Sequence, residues 1–106
     1  SITGKRVWGI CGIAHPESFL STLQGLNVEI AGFTAFPDHH VYTPHDLSEI
    51  ARRAGPDVAV VTTEKDWVKW KKAAPFREVF VISVRMNFIN EADVYGFIEK
   101  FVYNEQ

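Results

Sequence analysis

The chain has 106 residues, of which 46% are apolar and 23% charged, and its formal net charge is −2. These values are typical of one globular domain and exclude a disordered or fibrous chain. The charge balance, with no basic stripe, does not favour a nucleic-acid-binding protein. No apolar run has the length of a membrane span and no signal peptide is visible, so we expect a soluble, cytoplasmic protein.

The first part of the chain predicts a β-α-β unit. The apolar run over residues 6–12 is typical of a strand that is buried on both faces of a parallel sheet. Cys11 lies within this run, and we interpret it as a small buried residue rather than a nucleophile. Pro16 suits the first position of a helix. Residues 27–35 then predict a second strand, whose partial alternation favours the edge of the sheet.

A second helix has clear start and stop signals. Thr43 is placed as its N-cap, Pro44 as its first residue, and Asp46 as the acidic partner of a capping box. Apolar residues then recur on one helical face: Leu47, Ile50, Ala51 and Ala54. Gly55 followed by Pro56 ends this helix.

The remaining chain predicts two more strands and two more helices. Residues 58–62 predict a buried strand and residues 78–84 a fourth strand, and a short helix capped by Thr63 lies between them. Asn90, with Asp93 three residues later, predicts the start of a last helix. The apolar stripe of that helix would consist of Val94, Phe97, Ile98, Phe101 and Val102.

Strands that alternate with helices predict right-handed βαβ units. We therefore expect a single α/β domain over residues 1–106. It should be three-layered and Rossmann-like, with helices on both faces of a mainly parallel, four-stranded sheet. The expected strand order is 2-1-3-4, because the first and third strands are the most uniformly apolar.

Ligands of open parallel sheets bind beyond the carboxyl ends of the strands. In the predicted fold these ends are followed by four segments: residues 12–15, 38–42, 62–66 and 85–87. They contain many of the chain's titratable and hydroxyl side chains. The topology alone therefore predicts a site at this edge.

The loop that contains Asp38, His39 and His40 is the best candidate for chemistry. An imidazole titrates near neutral pH and can take a proton from an alcohol, and a neighbouring carboxylate can orient the ring. Adjacent side chains rarely point the same way, so only one of the two histidines should act. His15 and His45, by contrast, fit a helix N-cap and a helix surface.

Residues 63–66 permit two readings. Thr63 and Asp66 have the spacing of a helix cap. Lys65, in the first helical turn, is unfavourable against the helix dipole, so we expect it to have a charge partner or a ligand.

Several common catalytic and nucleotide-binding motifs are missing. The sequence lacks a G-x-x-x-x-G-K-[ST] phosphate loop, a G-x-G-x-x-G dinucleotide loop, a serine nucleophile elbow and a C-x-x-C motif.

Three motifs together resemble the carboxyl-terminal half of the tetraacyldisaccharide 4'-kinases of lipid A (lipopolysaccharide) biosynthesis in Gram-negative bacteria. They lie at residues 12–19, 36–43 and 61–66, in that family's order. The resemblance implies that an amino-terminal P-loop domain binds ATP and Mg²⁺, and that His39 is catalytic. It leaves the other site candidates in substrate-binding or supporting roles: Asp38, Tyr42, Thr63, Glu64, Lys65 and Asp66.

The resemblance also implies partners and a location. The chain would be the carboxyl-terminal domain of a larger kinase, inactive alone, with the P-loop domain and an acylated disaccharide phosphate as partners. The parent enzyme would be cytoplasmic and peripheral to the inner membrane. A cluster of lysines near Trp67 and Trp70 offers either a membrane contact or a solvated helix face: Lys65, Lys69, Lys71 and Lys72.

Two alternatives stay open. A DHH-type phosphoesterase would bind manganese through Asp38, His39 and His40, although the further aspartates that such sites need are missing from the end of the first strand. The other alternative is an α/β binding module without catalysis. Our preferred interpretation assigns no metal ion to this domain itself.

Overall fold

The computed structural model describes residues 2–86 and 95–104, with side-chain surroundings over residues 2–82. Helices and strands alternate through most of the chain. Their bounds are Arg6–Cys11 (β1), Pro16–Gln24 (α1), Glu29–Ala35 (β2), Pro44–Ala54 (α2), Ala59–Thr63 (β3), Glu64–Trp70 (α3), Glu78–Met86 (β4) and Tyr95–Asn104 (β5). A 3-10 turn, Lys71–Ala73, continues from α3.

The sheet has the order β2-β1-β3-β4-β5. Its first four strands are parallel, with Ile10 of β1 paired to Thr34 of β2 and to Thr62 of β3. The predicted mainly parallel sheet and the order 2-1-3-4 of its parallel strands are therefore confirmed. So is the position of β2 at the edge.

The prediction of a last helix is wrong. Tyr95–Asn104 forms β5, which pairs antiparallel with β4, so the described sheet has five strands rather than four. The spacing of Phe97, Ile98 and Phe101 fits a helical face, but pairing along the length of β4 overrides this local pattern. The proposed start of that helix, Asn90 to Val94, lies outside the described residues.

The helices cover both faces of the sheet. On one face, Phe19 and Leu23 of α1 pack against the sheet in a cluster that includes Val7 and Val61. On the other face, α2 and α3 contribute to a second cluster, whose buried residues include Trp8, Ile10, Leu47, Ile50, Val60, Trp70 and Val79. The chain steps from β1 to β2 in one direction and then back past β1 to β3, so right-handed crossovers place α1 and α2 on opposite faces.

The predicted helix starts are confirmed at α2 and α3. Thr43 Oγ1 accepts a hydrogen bond from the Asp46 amide at 3.1 Å, and Asp46 Oδ2 accepts one from the Thr43 amide at 3.0 Å. Thr63 Oγ1 likewise accepts from the Asp66 amide at 3.1 Å. His15 occupies the N-cap of α1, although its side chain makes no capping hydrogen bond.

The tryptophans of α3 belong largely to the core. Trp70 is buried and Trp67 is half-buried against the same cluster, which fits the packing role considered for them from the sequence. Within residues 2–86 and 95–104, none of the helices combines the length and the apolar character needed to cross a membrane.

Candidate functional site

The segments that follow β1, β2 and β3 converge at the carboxyl edge of the sheet, as the topology predicted. They bring Gly12, the 38–42 loop and the first turn of α3 into contact. The fourth predicted segment, 85–87, is not placed, because the side chain of Arg85 and all of Asn87 lie outside the described residues.

The buried centre of this site is the carboxylate of Asp66, which has no exposed surface. The Gly12 amide donates to it, at 3.1 Å from each oxygen. The Tyr42 hydroxyl donates to Oδ1 at 3.0 Å, and the Thr63 hydroxyl donates to Oδ2 at 2.6 Å. A buried carboxylate is energetically costly unless hydrogen-bond donors surround it. These contacts therefore join the segments that follow β1 and β2 to the start of α3.

This charge acts on its neighbours. Burial, followed by the Asp66 charge and hydrogen bond, raises the pKa of Tyr42 far above its ordinary value of 10, so the phenol keeps its proton and donates it. Burial and the same charge raise the pKa of Cys11 to about 12. Cys11 is therefore a buried thiol without nucleophilic character, as the sequence indicated.

The exposed part of the site is built on Asp38. Lys65 Nζ lies 3.1 Å from Asp38 Oδ1, and this hydrogen bond is the main reason why the pKa of Asp38 is lowered. Lys65 thus has the charge partner that its position in the first turn of α3 predicted. Glu64, beside it, is exposed.

His39 lies at the tip of a tight turn. The His40 amide donates to the Pro37 carbonyl at 3.1 Å, and His39 has a φ of 65°, which is typical of the third residue of a type II turn. The imidazole is 81% exposed, and its Nε2 lies 3.5 Å from Asp38 Oδ2. The ring is therefore available to a ligand, beside an ionised carboxylate.

His40 has different surroundings, as expected for adjacent side chains. Its Nε2 lies 2.8 Å from Asp46 Oδ2, and its ring stacks on Phe36 with centroids 4.2 Å apart. The hydrogen bond to His40 is the main reason why the pKa of Asp46 is lowered. This contact between His40 and Asp46, the His40 brace, was not predicted; the only signal for it in the sequence is the capping position of Asp46, six residues from His40.

An open depression of about 320 Å³ lies beside the loop. It is lined by His39, His40, Val41, Tyr42 and Lys69. Two imidazoles, a phenol, an ammonium group and an exposed apolar side chain suit an anionic or hydroxylated ligand with an apolar part. Lys69 was considered from the sequence only as a member of the lysine cluster.

Asp38, His39 and His40 do not form a metal-ligand set. Asp38 is engaged with Lys65 and His40 with Asp46. In the described part of the chain there is also no group of three or more His, Cys, Asp or Glu residues that could hold a metal ion. The described residues therefore contain no cluster of metal ligands of the kind that a DHH-type phosphoesterase would need.

Comparison with known proteins identifies the family. A family model described as tetraacyldisaccharide-1-P 4'-kinase matches residues 1–103. The chain belongs to this family. The resemblance seen in the sequence is thereby confirmed. The three motifs on which it was based contain Gly12, Asp38 to Tyr42, and Thr63 to Asp66, which meet in the site.

Individual relatives agree with this assignment. A tetraacyldisaccharide 4'-kinase of Methylorubrum extorquens (strain PA1) is 44% identical over 91 residues, which cover 83% of this chain and 27% of that protein. One from Anaeromyxobacter dehalogenans is 38% identical over 99 residues, covering 89% of this chain and 26% of the relative. The chain thus spans roughly a quarter of the length of the curated relatives it matches. No solved structure matches it.

Proposed function

We propose that this chain is the carboxyl-terminal domain of a longer kinase that phosphorylates the 4'-hydroxyl of an acylated disaccharide 1-phosphate in lipid A biosynthesis. The family membership and the names of the relatives support this proposal. The chain corresponds to only 26% to 30% of the length of relatives that it matches over most of its own length. The kinase would therefore need further segments, and the chain alone would be inactive.

The observation that carries the chemical proposal is the exposed imidazole of His39 beside Asp38. In the proposed reaction His39 accepts the proton of the acceptor hydroxyl as that oxygen bonds to the γ-phosphorus of ATP. The bond from phosphorus to the ADP oxygen breaks at the same centre. The Asp38 carboxylate, 3.5 Å from the ring, stabilises the imidazolium that forms, and Lys65 holds Asp38 in place.

ATP and Mg²⁺ belong, in this proposal, to another domain of the longer protein. This sequence has no P-loop motif, and the described residues include no group of three metal-ligating side chains. The residues present do not fit either group. The role assigned to this domain is to present the acceptor and a base, since phosphoryl transfer depends mainly on positioning and electrostatics.

We also propose that the longer enzyme acts at the cytoplasmic surface of the inner membrane, with its P-loop domain and the acylated disaccharide as partners and with no role for nucleic acid. Val41 and Val68 are exposed apolar side chains, at 80% and 63% of their surface. The lysines of the α3 region are exposed as well: Lys65, Lys69, Lys71 and Lys72. Such a surface suits contact with anionic lipid.

The test is a kinase assay on the longer protein with His39→Ala. We expect the kcat to fall about 10²- to 10⁴-fold, the range for a general base. Because the side chain is exposed, the thermal midpoint should not change. His45→Ala is the matched control, since His45 is another exposed histidine, on α2 outside the loop, and it should keep wild-type activity.

Wild-type activity in His39→Ala would reject the catalytic assignment and favour the non-catalytic binding module. ATP-dependent phosphorylation by the 106-residue chain alone would show that the other domain is not required.

A further inference from the structure

The two threonine-capped helices offer an internal comparison. α2 and α3 both begin with Thr-x-x-Asp, and in both the threonine accepts from the aspartate amide. Asp46 of α2 completes an ordinary capping box by accepting from the Thr43 amide. Asp66 of α3 instead accepts from the Thr63 hydroxyl and extends to two other loops. Asp66 therefore does more than begin a helix.

Asp66 cannot contact the acceptor directly, because it is fully buried. Its effect must pass through the groups that it binds. Tyr42 is the important one, since it lines the depression beside His39 and donates to Asp66 at 3.0 Å. Asp66 thus holds one end of the candidate catalytic loop.

The other end of the loop is fixed to β1. The Phe36 amide donates to the Cys11 carbonyl at 2.7 Å. The backbone of Gly12 lies so close beneath the loop that an added Cβ would come within 3.3 Å of the Pro37 carbonyl and 3.2 Å of the Tyr42 hydroxyl. His39 is therefore held between an attachment at Phe36 and one at Tyr42.

We infer that Asp66 is a positioning residue of the kinase: through Gly12, Tyr42 and Thr63 it sets the position of the loop that carries His39. This inference rests on the proposed function. It gives the last residue of the Thr-Glu-Lys-Asp motif a role beyond helix capping. A displacement of about 1 Å in a catalytic group can lower a rate about a hundredfold, so a buried anchor of this kind can control turnover without contacting the substrate.

The experiment compares variants of the longer enzyme in a steady-state kinase assay, at a temperature where each is folded. Asp66→Asn replaces an acceptor oxygen by an amide donor that faces other donors, and should lower kcat about a hundredfold. Thr63→Val keeps the side-chain shape but removes the hydroxyl, and should lower kcat about tenfold. Thr63→Ser, which retains the hydroxyl, should have the wild-type kcat. The KM for ATP should be unchanged in all three variants.

Thr34→Val is the control for a general loss of stability. Thr34 accepts a half-buried hydrogen bond from Trp8 Nε1 at 2.9 Å, comparable with the bond from Tyr42 to Asp66. This variant should lose stability and keep its kcat. If Asp66→Asn does not fold, the kcat values of Thr63→Val and Tyr42→Phe test the positioning role instead. Each variant removes one hydroxyl that donates to Asp66, and each should have a lowered kcat.

His39→Ala in the same assay separates the two possible failures. An inactive His39→Ala together with folded Asp66→Asn and Thr63→Val enzymes of wild-type kcat would overturn the positioning role alone. Full activity in His39→Ala would overturn the proposed function, and the positioning role with it. A fall in kcat that Thr34→Val shows equally would mean that the effect is one of stability.

Discussion

The candidate site has a buried half and an exposed half, and they are built differently. In the buried half, Asp66 has no exposed surface and receives hydrogen bonds from three neutral donors: the Gly12 amide, the Tyr42 hydroxyl and the Thr63 hydroxyl. In the exposed half, Asp38 pairs with Lys65 at the surface and His39 is 81% exposed. The comparison teaches that the two carboxylates have different surroundings: Asp66 joins buried groups to one another, and Asp38 lies beside the exposed ring that we propose as the base.

The largest expected effect is on stability, in a comparison of the two carboxylates. Asp66→Ala should lower the free energy of unfolding by about 3 kcal/mol, because it leaves buried amide and hydroxyl donors without a partner. Asp38→Ala should leave the denaturant midpoint unchanged, since exposed ion pairs contribute little. Urea unfolding of both variants measures the difference. Equal midpoints would remove the distinction between the two halves.

A smaller effect is expected from closing the space at Gly12. A Cβ there would come within 3.2 to 3.3 Å of Tyr42, Asp66 and Pro37 atoms, which is tighter than ordinary contact. Gly12→Ala should lower the free energy of unfolding by about 1 to 2 kcal/mol, because the added methyl group overpacks this space. At Gly25, an added Cβ meets carbonyl oxygens at 3.4 and 3.6 Å.

Gly25→Ala is therefore the matched control and should be close to neutral. Chemical denaturation gives both values. An unchanged stability of Gly12→Ala would show that Gly12, Pro37 and Tyr42 are packed more loosely around Asp66 than their distances indicate.

The smallest expected effect concerns the His40 brace and depends on pH. The pKa of Asp46 is lowered from its ordinary value of 3.8 by His40 and by the Thr43 cap. A carboxylate with a lowered folded pKa stabilises the protein above its unfolded pKa, and this contribution is lost as the pH falls through the folded value. Asp46→Asn should therefore lower the free energy of unfolding by about 1 kcal/mol at pH 7, which is the typical contribution of one hydrogen bond.

The wild-type protein and Asp46→Asn should become equally stable once the pH has fallen through the lowered pKa of folded Asp46, which lies below 3.8. Thermal unfolding from pH 7 to pH 2.5 gives the two curves. A constant difference at all pH values would mean that the ionised carboxylate of Asp46 is not what stabilises the folded state.

Much of the site was predictable from the sequence, because parallel topology places the strand ends together. Asp38, His39, Tyr42, Lys65 and Asp66 were all candidates before the structure was known, and three of the four predicted segments do meet. Which groups bind one another was not predictable. Tyr42 and Asp66 are 24 residues apart, and nothing in the pattern around Gly12 indicated that its amide would bind Asp66, 54 residues away.

The sequence by itself determined the helix caps, the four parallel strands and the edge at which the site lies. These features depend on residues close together in the chain and on the handedness of βαβ units. Only the tertiary structure decided that Tyr95–Asn104 forms an antiparallel strand instead of a helix, and that Asp66 is buried and hydrogen-bonded to Gly12 and Tyr42 as well as to its own helix cap. Both outcomes depend on partners that are distant in sequence, and pairing or burial of this kind outweighs local propensity.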